Sequence, residues 1–109
     1  MTLIYGHRGA KGLAPENTLA SFQACLDAGV QRCELDVRLS RDQQVVVIHD
    51  ADLKRLAGSK ARVKNQTAAE LASTDVRHAG PSWLVPCTIP ALAEVMAACP
   101  FEHWQIEIK

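Results

Sequence analysis

Val30-Gln31-Arg32-Cys33-Glu34-Leu35-Asp36-Val37-Arg38-Leu39 is a β-strand with two unlike faces. Residues two apart leave a strand on the same side. Glu34 and Asp36 therefore share one face, and Cys33, Leu35 and Val37 share the other, toward covering helices. The same arithmetic returns at His103–Lys109, where Glu107 and Lys109 share a face and Ile106 and Ile108 lie opposite.

Upstream, Leu3 to Gly6 is a short apolar run, a first strand that feeds a loop over Ala10–Glu16. The spacing of Leu19, Phe22 and Leu26 predicts a helix capped at Asn17 or Thr18, and Gly29 suits its stop. Downstream, Asp42-Gln43-Gln44 is a turn, and Val45–Ile48 is a β-branched run leading into His49. Lys54–Lys64 is basic and polar, an excursion rather than a core element. Thr67-Ala68-Ala69-Glu70 matches a capping box and predicts a short helix; Ala79–Pro86 reads as loop. Leu92, Val95, Met96 and Cys99 predict a second long helix, opened at Ile89-Pro90 and ended by Pro100.

A βαβαβ order implies a parallel sheet with right-handed crossovers. Histidine and acidic residues sit at the C-terminal ends of all three main strands, as in a (β/α)8 barrel, whereas an open sheet binds mainly at one switch point. The expected fold is α/β, the N-terminal part of a TIM barrel with about three of eight strands present. A whole barrel takes roughly 250 residues, so residues 1–109 are read as one domain portion truncated at the third strand.

Twelve basic residues balance twelve acidic ones, which leaves no electrostatic footprint for nucleic acid or an anionic membrane. No apolar run reaches membrane-spanning length, and the start of the chain lacks the basic and apolar regions of a signal peptide. Cys25, Cys33, Cys87 and Cys99 show no C-x-x-C or zinc spacing and read as buried reduced thiols, which fits a cytoplasmic location.

If the acidic faces converge, Glu34, Asp36 and Glu107 meet in one cleft. Three clustered carboxylates repel, and an all-oxygen set suits a hard divalent cation, Ca²⁺ or Mg²⁺, rather than zinc. His7 follows the first strand and His49 the β-branched run. Imidazole titrates near neutrality, so two histidines across a phosphodiester can serve as acid and base. Arg8 can fork onto phosphate oxygens or pair with a nearby carboxylate. Asn17 reads as a helix cap rather than a substrate contact.

Taken together, His7-Arg8-Gly9, Pro15-Glu16-Asn17-Thr18, Glu34-Leu35-Asp36-Val37, His49-Asp50, Leu53-Lys54-Arg55, Ile89-Pro90-Ala91-Leu92 and Ile106-Glu107-Ile108-Lys109 resemble the glycerophosphodiester phosphodiesterase family. The resemblance runs over nearly the whole chain in the right order. It implies a metal-assisted barrel phosphodiesterase that releases glycerol 3-phosphate and an alcohol from a small glycerophosphodiester. By position, it implies His7 and His49 as the acid/base pair, Arg8 and Lys109 as phosphate contacts, and Glu34, Asp36 and Glu107 as ligands of one divalent cation. The chain departs from the family at Leu56-Ala57-Gly58, where a threonine is usual.

Two other readings stand beside this one: a truncated fragment without activity, and a related two-histidine barrel phospholipase. A metallohydrolase with a histidine-metal centre wants His-x-His after strand one, and this chain has His7-Arg8. An incomplete parallel sheet also predicts self-association through its exposed edge.

Overall fold

The computed structural model describes residues 5–109, so Leu3 and Ile4 of the expected first strand lie outside the described residues. The remainder of that strand is β1, Tyr5–His7. Thr18 caps α1, Leu19–Asp27, its hydroxyl accepting from the Ser21 amide at 3.3 Å. Gly29, at φ +82°, turns the chain out of the helix and into β2, Arg32–Leu39. Ser40 and Gln44 close a turn, with Gln43 at φ +62°, and return the chain along β3, Val45–Val47.

The segment after β3 differs most from expectation. It holds α2, Lys54–Ala57, a 3₁₀ turn at Val63–Asn65 and α3, Ala68–Ala72. Leu53, Leu56 and Val63 are buried with Val46, Ile48, Leu71, Val76, Cys87 and Ile89 in a core of their own. Lys54–Lys64 is thus polar outside and anchored within, not a bare excursion. The capping box of α3 forms as expected: the Thr67 hydroxyl accepts from the Glu70 amide, and the Glu70 carboxylate accepts from the Thr67 amide, both at 3.1 Å.

α4 covers Leu92–Ala98 and so opens later than the expected Ile89-Pro90. Ile89 and Pro90 lie outside the helix. The Pro90 carbonyl accepts from the Val47 amide at 2.9 Å, and Ala91 bridges to Val46. Burial of Ile89 in the second core and this pairing outweigh the proline's fitness for a first helical turn. Pro100 follows the helix, and β4 runs His103–Ile108.

β1 and β4 both pair parallel with β2, on which β3 lies antiparallel over Val37–Leu39. The apolar face of β2 packs as its alternation requires. Cys33, Leu35 and Val37 join Phe22 and Cys25 of α1, Val95 of α4, and Cys99 and Phe101. Phe22 and Phe101 each meet the Trp104 ring edge-on, with centroids 5.6 and 4.8 Å away. β3 divides the two cores, since Val47 faces this one and Val46 the other. All four cysteines are free and buried. Among the described residues, no helix is long and apolar enough to cross a membrane.

Candidate active site

Strand register builds the acidic cluster. β4 sets Glu107 beside Asp36, and β1 sets His7 beside Glu34. One oxygen from each of Glu34, Asp36 and Glu107 lies within 4.8 Å of the others. Asp36 is 1% exposed and Glu34 8%, whereas Glu107 is open to solvent. Burial pushes the Glu34 carboxyl above its ordinary pKa, and the charges of Asp36 and Glu107 add to it. The Arg8 backbone amide, donating to Glu34 Oε1 at 3.1 Å, opposes the rise.

Asn17 is not the cap. It sits at φ +55° and donates Nδ2 to Asp36 Oδ2 at 3.2 Å, while its Oδ1 is buried without a hydrogen bond. Three carboxylates and a buried amide oxygen form a donor chemistry that fits a hard divalent cation.

The first loop is wound tightly to reach this cluster. Arg8 and Gly9 have φ of +53° and +75°. The Arg8 carbonyl accepts from the Asn17 amide at 2.8 Å and the Ser21 hydroxyl at 2.9 Å, locking the loop to the first turn of α1. A Cβ on Gly9 would stand 2.9 Å from the Ser21 backbone carbon and closer still to its hydroxyl. Gly9→Ala is therefore expected to lower stability by ~1–3 kcal/mol, through overpacking and a left-handed backbone. An unchanged urea midpoint would contradict that expectation.

Both cations expected at the phosphate are present at the acids. Arg8 Nη1 donates to Glu16 Oε2 at 3.1 Å, and its Nε lies 3.4 Å from Asp36 Oδ2. Lys109 Nζ donates to Glu107 Oε2 at 3.2 Å and is 3.8 Å from Asp36 Oδ1. The histidines stand at the same end of the sheet. His7 is exposed and makes no side-chain hydrogen bond among the described residues. His49 is half-buried, with Nδ1 2.9 Å from Asp50 Oδ1, and its carbonyl accepts from Arg38 Nε at 2.9 Å. The neighbouring Ile48 amide donates to the Asp36 carbonyl at 3.0 Å, tying this loop to β2.

Glu16, Asp50 and Arg55 lie within the sequence motifs but had no assigned role. The structure joins them. Arg55 donates to both oxygens of Glu16, at 2.8 and 3.0 Å, and to both oxygens of Asp50, at 3.0 and 3.1 Å. Hydrogen bonds from Arg55 hold the Asp50 carboxyl down at about 2, against its partial burial. Burial alone would raise Glu16, but Arg55 and Arg8 outweigh it and hold it below its ordinary value.

Both folded-state values lie below those of an unfolded chain. Their stabilisation is thus present above the unfolded values, near 4, and lost as pH falls through the folded-state values, which for Asp50 is about 2. Arg55→Ala should flatten this acid-side loss relative to wild type. The comparison isolates the network from Glu34, whose raised pKa acts in the opposite sense. Urea midpoints measured down this pH window check it, and parallel curves for the two proteins would contradict it.

Residues 7–109 match the glycerophosphoryl diester phosphodiesterase family. A glycerophosphodiester phosphodiesterase of Bacillus altitudinis is 43% identical over 96 residues, spanning 88% of this chain and 39% of the relative. The crystal structure of a glycerophosphodiester phosphodiesterase from Thermotoga maritima aligns at TM-score 0.85 with 37% identity, over 100% of this chain and 44% of its own. An Oleispira antarctica phosphodiesterase, solved with the product sn-glycerol-3-phosphate, aligns at TM-score 0.83 with 27% identity, over 100% of this chain and 46% of its own. The chain spans less than half the length of these relatives. Its parallel strands and covering helices are part of the TIM barrel expected from the sequence.

Proposed function

The chain belongs to the glycerophosphoryl diester phosphodiesterase family, and from that membership we propose that its site serves hydrolysis of glycerophosphodiesters to glycerol 3-phosphate and an alcohol. The observation that carries the proposal is the meeting of Glu34, Asp36 and Glu107 within 4.8 Å, at the strand ends that also bear His7 and His49. These three carboxylates would hold one divalent cation, Ca²⁺ or Mg²⁺, which when bound supplies positive charge against the phosphate oxygens.

Arg8 and Lys109 flank the same carboxylates and bring two further positive charges to the phosphate, the arginine as a fork and the lysine as a point charge. His7 and His49 divide the proton traffic. One takes the proton from the attacking oxygen, and the other gives a proton to the departing alkoxide. A glycerol hydroxyl next to the phosphorus is an internal nucleophile, so the first product would be a cyclic phosphate that water then opens. The buried free thiols support a cytoplasmic setting, and the proposed products would feed lipid and glycerol metabolism.

The test is to supply a glycerophosphodiester with Ca²⁺ or Mg²⁺ to the full-length protein and track glycerol 3-phosphate with a coupled dehydrogenase. Release that stops with a chelator and resumes on adding the ion is expected. No release with either ion, or release untouched by chelation, would contradict the proposal. A second reading rests on the outer edge of β4, which pairs with no strand among the described residues. On that reading residues 1–109 carry the chemical groups but need further strands, from the same chain or another copy, to work.

A further inference from the structure

We propose that Arg55 is a positioning residue for both halves of this chemistry, holding Asp50 against His49 and Glu16 against Arg8 through one guanidinium. The inference rests on the functional reading above and adds to it a residue with no expected contact to substrate.

The local fold explains why Arg55 can do this. Leu53 and Leu56 are each 2% exposed and pin α2 into the second core, leaving the intervening Arg55 free to reach outward. From there it crosses to Glu16, thirty-nine positions earlier in the chain. All three of its nitrogens are engaged: Nη1 with Glu16, Nε with Asp50, and Nη2 with both. A planar fork with fixed donors can hold two carboxylates in one relative orientation; a lysine ammonium, a single point on a flexible stem, cannot.

Each carboxylate then passes the constraint on. An ionised Asp50 is an acceptor only, so the 2.9 Å contact fixes the proton of His49 on Nδ1 and leaves Nε2 for proton transfer. Glu16 Oε2 accepts from Arg55 and from Arg8 Nη1, at 3.0 and 3.1 Å, so the phosphate-facing arginine is located by the same side chain. Glu16 is 7% exposed and has little freedom to pass this role to water.

The experiment uses the full-length protein and reads the two arms separately. Asp50→Asn is expected to lower kcat ~10–10²-fold, as a misplaced histidine should, with KM little changed. Glu16→Gln is expected to raise KM about tenfold, the loss of roughly one charge-assisted hydrogen bond in placing Arg8, with the smaller effect on kcat. Arg55→Ala should do both, and Arg55→Lys should recover only part of either. Nitrogen NMR of His49 should show the Nδ1–H tautomer in wild type and a mixture in Arg55→Ala. His49→Ala is the control for the functional reading: if it turns over normally, that reading fails. If His49→Ala is inactive while Arg55→Ala leaves kcat, KM and the His49 tautomer unmoved, the positioning role is overturned. Should Arg55→Ala not fold, Asp50→Asn and Glu16→Gln decide. Indistinguishable changes in kcat and KM between those two would reduce the network to a structural clamp and overturn the proposal.

Discussion

Replacing His49 by alanine in the full-length protein is expected to slow release of glycerol 3-phosphate by ~10²–10⁴-fold, and His7→Ala by a similar factor. His49 is the better prepared of the two. Its side chain is a third exposed, its Nδ1 is tied to Asp50, and its backbone is held by Arg38. Among the described residues His7 has no such side-chain partner, but strand pairing fixes its backbone beside Glu34. The loss should fall on kcat, because proton transfer belongs to the transition state rather than to substrate binding. A single-turnover assay separates the two terms. Near wild-type turnover in either variant would remove that histidine from the mechanism.

Residues 1–109 expressed alone are expected to be inactive on glycerophosphodiesters and to associate through β4. Parallel strands are normally covered on both faces, and here one side of β4 has no strand partner among the described residues. Ile106 is 39% and Ile108 87% exposed, on the face of β4 opposite Glu107. They border an open apolar cavity of about 380 Å³ with Val37, Leu39, Val45 and Leu92. Glu107, on the same strand, is 45% exposed, which leaves the third carboxylate of the acidic cluster loosely held. Light scattering with activity assays at several protein concentrations checks the expectation. Turnover by a demonstrated monomer would contradict it, and activity confined to an oligomer would show a site completed between chains.

The parts of this molecule legible in its sequence are those governed by short-range periodicity. Alternation in β2 gave both the buried face and the shared face of Glu34 and Asp36, and the Thr67–Glu70 box gave α3. Where tertiary pairing overrides local preference, the sequence misled. Pro90 stays outside the helix because Val47 and the second core claim its neighbourhood, and Lys54–Lys64 hides buried anchors among its charges. Asn17 has the chemistry of a cap, yet its left-handed backbone turns it to Asp36. Arg55 could not be read at all from spacing, since its two carboxylates lie five and thirty-nine positions away. One signal was present: Glu16, Asp50 and Arg55 each sit inside one of the motifs that carry the family resemblance.

Calorimetric titration of Ca²⁺ and of Mg²⁺ into the full-length protein and its Glu34→Gln variant tests the acidic cluster most directly. Glu34→Gln keeps the side chain's shape and removes one charged ligand, so its effect reads coordination rather than packing. One ion per chain is predicted, with affinity weakened at least about tenfold in the variant, because ligand charge count sets the strength of such sites. Binding of equal affinity and stoichiometry in the two proteins, or no binding in either, would contradict a cation held by Glu34, Asp36 and Glu107.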